Sequence, residues 1–216
     1  MNKNDKKAEE LESATEFFKE NGKEVAELWR VIAQGGEGNN LADLVTETAA
    51  EIGHAIKLDP GNADLHAERA KFYFSCGKFD EAISDYNEAI RLDPKQIGAY
   101  MFRGMCCEAK GLYEQALMGY DEAIGMLNDH RAAVFYGARG NCLCKLNRHD
   151  EAIADYTKAI ALLPDDATAR GDRGCAYMKR GAWEKAVADL EKAVELRPQD
   201  DTARRNLEIA RKKGGS

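Results

Sequence analysis

A short pattern of small residues recurs four times along this 216-residue chain. A glycine, replaced by asparagine in the third copy, is followed five residues later by an alanine and after seven more by a second alanine. The first residues of the four copies, Gly77, Gly111, Asn147 and Gly181, are spaced by 34, 36 and 34 residues. A fixed period of this length is typical of stacked helix-turn-helix units that cover one another's apolar faces. The period therefore predicts an all-α solenoid.

Each repeat is numbered here by place, from the first residue of its first helix, helix A, to the turn after its second, helix B. Place eight is small, which lets helix A approach helix B; its residues are Ala70, Gly104, Gly140 and Gly174. Place eleven fills the space between the helices with Tyr73, Cys107, Leu143 and Tyr177. Proline closes three of the four units, at Pro94, Pro164 and Pro198, because it cannot continue helix B.

These coincident places resemble the tetratricopeptide repeat. The resemblance implies a right-handed α-solenoid of helix-turn-helix repeats that binds other proteins. Four full repeats are expected at residues 63–96, 97–130, 133–166 and 167–200. Arginine and glycine at places seven and eight, before an aspartate-containing helix B, resemble the bacterial members of the family.

Both ends of the chain differ from the full repeats. Residues 1–62 are expected to form N-terminal helices that include a degenerate repeat, because residues 55–60 match residues 89–94 at the 34-residue offset and place a helix B at 41–58. Apolar residues around Trp29 are expected to cap the array, with occupation of its groove as the alternative. Residues 201–216 are expected to be a polar capping helix and a tail.

Charge and hydropathy narrow the class of partner. Residues 1–60 hold thirteen acidic and seven basic residues, which accounts for most of the net charge of −7. Nucleic-acid binding needs a basic stripe, and none occurs outside the C-terminal helix, so we expect no nucleic acid partner.

No run approaches the roughly 20 apolar residues that cross a bilayer, and the N-terminus lacks a secretory signal. A cytoplasmic protein without membrane partners is expected.

Six cysteines fall on the predicted A helices or on the turn just after them: Cys76, Cys106, Cys107, Cys142, Cys144 and Cys175. Their spacing lacks the two-to-four-residue gap of zinc ligands, and none of the four histidines has a second ligand beside it. The pattern favours free thiols in a reducing compartment over a disulfide framework or a metal site. We expect neither a metal nor a cofactor.

Place seven is arginine in every full repeat, where a tetratricopeptide unit prefers leucine; the residues are Arg69, Arg103, Arg139 and Arg173. Place 23 on helix B offers carboxylates at Asp85, Asp155 and Asp189 but has Gly119 in the second repeat. Bidentate pairs between the helices would satisfy both groups, either within a repeat or with the repeat before. The sequence therefore predicts an internal ladder of ion pairs; the alternative is an arginine row that grips an acidic ligand.

In tetratricopeptide proteins the inner wall is lined by places two, five, nine, twelve and thirteen of helix A. Carried onto this chain, the resemblance implies a partner-binding groove of Ala67, Lys71, Phe74, Met101, Met105, Glu108, Asn141, Cys144, Lys145, Cys175, Met178 and Lys179. Methionine adapts its shape to different apolar partners, which suits a peptide groove. The alternative is that the protein's own N-terminal helices cover these residues.

One subtype of the family is disfavoured. Its members hold a peptide's terminal carboxylate with lysine, asparagine and arginine at places two, six and nine, and here only Lys71 and Asn141 at place nine fit.

Enzyme motifs are also missing, since the sequence has no glycine-rich phosphate loop that joins a strand to a helix. The sequence predicts a non-catalytic adaptor or scaffold that binds a protein or peptide. The alternatives are a chaperone for a secreted or assembling protein, and a homo-oligomer assembled through the N-terminal helices.

Overall fold

The computed structural model describes residues 39–215, and in this range all the regular structure is helical. The helices are α1 (Asn39–Leu58), α2 (Ala63–Ser75), α3 (Phe79–Leu92), α4 (Ile97–Ala109), α5 (Tyr113–Gly125), α6 (Ala132–Lys145), α7 (His149–Leu162), α8 (Ala167–Lys179), α9 (Trp183–Leu196) and α10 (Asp201–Gly214). The A helices are α2, α4, α6 and α8, and a B helix follows each of them. The prediction of an all-α repeat array is confirmed. The helices expected before residue 39, with the proposed cap around Trp29, lie outside the described residues.

The chain divides into two compact units, one up to Lys110 and one from Gly111 onward. In the first unit α1 packs on α2, α2 on α3 and α3 on α4. In the second unit α5 packs on α6, α6 on α7, α7 on α8, α8 on α9 and α9 on α10. Neighbouring A helices also touch within each unit, α2 with α4 in the first and α6 with α8 in the second. Each unit is therefore built by packing every helix on the next.

The recurring glycine is explained by the turn between helices A and B. The backbone there has a positive φ of 71° at Gly77, 74° at Gly111, 59° at Asn147 and 71° at Gly181. Glycine adopts this left-handed conformation at no steric cost, and asparagine tolerates it better than most residues. The fourfold pattern in the sequence is thus a pattern of helix C-termini.

The recurring alanines form the contact between helices. Those at place 20 (Ala82, Ala116, Ala152 and Ala186) have no exposed surface. Place 24 holds the largest buried side chains: Tyr86, Tyr120, Tyr156 and Leu190. A Cβ added at Gly140 would lie 2.7 Å from Cε1 of Tyr156, and one at Gly174 would lie 2.8 Å from Cγ of Leu190. Place eight is therefore small because a large side chain of helix B presses against the backbone of helix A.

The last helix, α10, has the register of a further A helix. Asp200 caps it by accepting from the Ala203 backbone N–H, as Asp166, 34 residues earlier, caps α8. Its buried residues are Ala203, Leu207 and Ala210. Ile209 on another face is 42% exposed. The helix thus packs its buried residues on α9.

Two glycines of α6 give a matched test of the close approach. At Gly137 an added Cβ has nothing within 4 Å, so Gly137→Ala should raise the free energy of unfolding by about 0.5–1 kcal/mol through helix propensity. Gly140→Ala should instead lower it by about 1–3 kcal/mol, because the methyl group meets the Tyr156 ring. Urea unfolding of both variants measures the difference, and a stabilising Gly140→Ala would contradict this account.

Candidate binding face of the A helices

Three place-seven arginines bind the aspartate of their own repeat, which confirms the predicted ladder. In each pair Nε and Nη2 of the arginine donate to the two carboxylate oxygens over 2.6–2.7 Å; the pairs are Arg69–Asp85, Arg139–Asp155 and Arg173–Asp189. The three aspartates are only 3–6% exposed. A carboxylate buried this deeply is stable when both oxygens are bonded, so each pair fixes helix A against helix B.

The remaining edge of the guanidinium reaches the preceding helix B at place 25. Arg103 Nη1 donates to Asn87 Oδ1 over 3.1 Å, and Arg173 Nη1 donates to Thr157 Oγ1 over 3.0 Å. Arg139 makes the same connection through an ion pair with Asp121. The place-23 aspartate is therefore bound by the arginine of its own repeat, and the preceding helix B is contacted at place 25 instead of place 23. Arg103, whose own repeat has Gly119 at place 23, has the contact with Asn87. The arginines are engaged in the packing of repeats, which argues against a row that grips an acidic ligand.

None of the twelve predicted groove residues is buried. Four are exposed (Met105, Asn141, Lys145 and Lys179) and the other eight are half-buried. Some of the half-buried ones belong partly to the core. Phe74 contacts the rings of Phe79 and Phe102, each with a centroid distance of 5.9 Å. Met178 packs against the buried cluster around Leu190.

In the first unit this face has aromatic and apolar residues beside the charged Lys71 and Glu108. Phe74 lies against Phe102, whose ring stacks on Tyr86 at a centroid distance of 6.0 Å. Met105, one helical turn beyond Met101 on α4, is 38% exposed. An adaptable, exposed methionine on the same helix as a half-buried aromatic ring is the kind of surface that an apolar side chain of a partner can cover.

In the second unit the same face is polar and carries thiols. The buried Tyr156 donates its hydroxyl to Asn141 Oδ1 over 2.6 Å and also contacts Cys144 Sγ at 3.6 Å. On the next A helix Cys175 Sγ accepts from Asn206 Nδ2 over 3.1 Å. Burial raises the pKa of both thiols. A thiol with a raised pKa is a poor nucleophile, so these cysteines are packing and hydrogen-bonding groups.

Asp172, at place six of α8, lies half-buried beside these thiols. Within residues 39–215 it has no hydrogen-bond donor and no ion-pair partner. Burial raises its pKa to about 6, and Asp166 and Asp200 add to the shift. A partly desolvated carboxylate without a partner is uncommon, because its desolvation is not offset. Place six was considered only for the carboxylate clamp, where an acidic residue does not fit, so sequence reasoning missed this group.

An open cavity of about 310 Å³ lies between α5, α6 and α7 of the second unit. Its charged lining is already engaged: Arg139 binds Asp155 and Asp121, and Arg148 binds Glu151. It therefore offers a ligand few free polar groups.

Among the described residues all six cysteines are free thiols, and no three His, Cys, Asp or Glu side chains come together in a geometry that could hold a metal ion. No helix within residues 39–215 is long and apolar enough to span a bilayer.

Two sequence profiles of the tetratricopeptide repeat match the chain, one over residues 63–96 and the other over residues 140–210. They describe a family that is typically non-catalytic, and no enzyme family was found. No curated protein matches the chain in sequence.

Solved structures resemble it at low sequence identity. The tetratricopeptide protein YrrB is 21% identical over 76% of this chain and 84% of its own, with a TM-score of 0.64. A structure of MamA is 24% identical over 72% and 90% of the two chains, with a TM-score of 0.67. TTC0263, a thermophilic protein of Thermus thermophilus, is 22% identical over 86% and 97%, with a TM-score of 0.58. All three are bacterial tetratricopeptide proteins, and at this identity they establish the fold.

The ladder predicts that replacing the arginine lowers the free energy of unfolding more than replacing the aspartate. Arg139→Leu leaves the buried carboxylate of Asp155 uncompensated and should lower the free energy of unfolding by about 3–5 kcal/mol. Asp155→Asn should cost less, because Arg139 keeps its bond to Asp121. Urea unfolding measures both, with Arg131→Leu as a control because its pair with Asp129 is at the surface and should contribute little. Equal, small losses for all three variants would contradict a structural ladder.

The environment of Asp172 predicts that Asp172→Asn raises the free energy of unfolding by an amount that depends on pH. Because its folded-state pKa of about 6 lies above the ordinary value of about 3.9, the folded state binds more protons between these values and stability falls as pH rises through them. Above pH 6 asparagine avoids the buried charge, so the variant should be more stable by about 1–2 kcal/mol, allowing for partial solvent screening. Below about pH 4 the gain should vanish.

Urea unfolding at pH 4 and pH 7 measures this gain, with the exposed Asp165→Asn as the control. A gain of the same size at both pH values would show that the carboxylate charge is not its cause.

Proposed function

Because this chain is a tetratricopeptide repeat protein, we propose that it is a non-catalytic adaptor or scaffold that binds a peptide or helix of another protein on its A-helix face. The A-helix face is the set of twelve groove residues predicted from the sequence. Proteins of this family generally bind other proteins or peptides. The fold alone does not name the ligand, so the site has to be argued from its own residues.

The observation that carries the proposal is the contrast between places on helix A. Place seven forms the ion pairs of the ladder, and place eight forms the close contact with helix B. Places nine and thirteen remain exposed at Met105, Asn141, Lys145 and Lys179. Exposed apolar surface next to half-buried apolar surface is favourably covered by a partner. YrrB is described as having an unusual peptide-binding site, and by analogy a peptide is the ligand we propose here.

We place the protein in the cytoplasm. Its six cysteines are free, and a reducing compartment keeps thiols in that state. Chaperone activity and self-assembly, the alternatives from the sequence, use the same face and differ in the number of peptides bound and in the oligomeric state.

Met105→Glu should weaken peptide capture by the full chain about tenfold or more, because a buried apolar contact would be replaced by a charge. Met118→Glu is the matched control, since Met118 is 63% exposed on a B helix. Binding to an immobilised peptide library, with circular dichroism of each variant, measures the effect. Equal losses for both variants, or no loss for either, would contradict a site on the A-helix face.

The same library separates the alternatives. Capture of one related set of sequences indicates an adaptor, and capture of many unrelated apolar sequences indicates a chaperone. Light scattering of the unliganded chain detects self-assembly.

A further inference from the structure

Place thirteen carries a lysine in every A-type helix that lies wholly in the second unit. Lys145 is the last residue of α6 and Lys179 the last residue of α8. Lys213 holds the same place in α10, 34 residues after Lys179. All three are exposed. We call these three residues the lysine row.

The fold itself does not require the lysine row. Place thirteen is Ser75 in α2 and Ala109 in α4. These two A helices have no basic residue in the last turn, near the negative end of the helix dipole. The row is a property of the second unit alone.

Asp172 lies beside Cys144 and Cys175 on this surface and pairs with none of the three lysines. Two further carboxylates of the second unit are bound to other cations. Arg180 pairs with Asp150 at 2.8 Å, and Arg148 pairs with Glu151 at 2.6 Å. Within the described residues the lysine row has no hydrogen-bond or ion-pair partner. The charge of the row is therefore available to a ligand.

A less polar strip runs beside the lysine row. Cys144 and Met178, at place twelve of their helices, are half-buried, and Ile209, at place nine of α10, is 42% exposed. The thiol of Cys144 is neutral, because burial raises its pKa. A ligand that matches this surface carries negative charges along one edge and apolar side chains along the other.

We propose that the lysine row binds an acidic segment of a partner protein, with its carboxylates on the lysines and its apolar side chains on the adjacent strip. This inference rests on the proposed function and specifies the chemistry of the ligand. Neighbouring packed helices lie about 8–10 Å apart, and an extended chain advances about 3.3 Å per residue. Acidic residues at every third position of the segment therefore match the row.

A protein ligand fits better than a nucleic acid. The row consists of three point charges beside an apolar strip, whereas nucleic-acid sites are extended basic surfaces with stacking or arginine contacts.

The test uses the full chain and two fluorescent peptides. One has glutamate at every third residue with leucine and serine between, and the other has glutamine in place of each glutamate. We expect the glutamate peptide to bind about tenfold or more tightly than the glutamine peptide, from three pairs of the strength usual at a surface. Its affinity should fall as salt is raised.

Replacing Lys145, Lys179 and Lys213 together by glutamine should remove this preference. The control variant replaces Lys158, Lys185 and Lys192, which lie on the B helices of the same unit, and so makes the same change in net charge. The control lysines make surface contacts: Lys158 lies over the Tyr136 ring, Lys185 lies over the Tyr177 ring and Lys192 pairs with Glu195. Circular dichroism of both variants therefore checks that folding is unchanged. The control should retain the preference for the glutamate peptide.

Three results would overturn the inference: equal binding of the two peptides by the parent chain, equal losses in both lysine variants, or tighter binding of a single-stranded RNA oligonucleotide than of the glutamate peptide. The proposed function is judged separately. Library peptides whose capture depends on Met105 but not on the lysine row would leave the adaptor function standing and would remove only the acidic ligand.

Discussion

The bidentate pair between a place-seven arginine and a buried aspartate fixes helix A against helix B in three of the four repeats. Each of the three aspartates is bonded at both oxygens, and in Arg139 and Arg173 the free edge of the guanidinium continues to the preceding helix B. A buried carboxylate would be costly alone, and here its charge is neutralised by a donor of fixed planar geometry. The planar fork sets the distance and the rotation of helix A against helix B more narrowly than an apolar contact would.

The contact between place eight of helix A and place 24 of helix B is a second constraint on the packing. A large side chain at place 24 lies against a small one at place eight, so the two helix backbones come close. In the third repeat the same buried tyrosine extends through to the A-helix face, where its hydroxyl bonds Asn141. The core of the repeat thereby positions a side chain on the surface. Asp172 lies nearby as a carboxylate that the packing leaves without a donor within the described residues.

The repeat skeleton presents a different surface in each unit. In the first it exposes methionine near aromatic rings, and in the second it presents thiols, amides and a row of lysines. The ladder and the alanine contacts are confined to other places, so places five, nine, twelve and thirteen can differ between repeats, although Phe74 and Met178 at place twelve still pack partly in the core. This separation of structural and variable places is why a common fold serves many ligands.

The sequence by itself determined the helical array, the turns and the composition of the ladder, because each depends on one residue type at a fixed spacing. Glycine or asparagine marks a left-handed turn, and arginine facing aspartate marks an ion pair, wherever the period brings them into register. Whether an arginine pairs within its repeat or with the repeat before could not be read, since both spacings are compatible with the period. The packing pairs the arginine with the place-23 aspartate of its own repeat and adds a contact with place 25 of the preceding helix B.

The tertiary structure alone decided which groove residues are exposed and which belong partly to the core. Met105 at place nine and Met178 at place twelve were both expected in the groove, yet one is exposed and the other packs near Leu190. It also decided that Asp172 is partly buried without a partner, because desolvation depends on atoms from several helices that are distant in sequence.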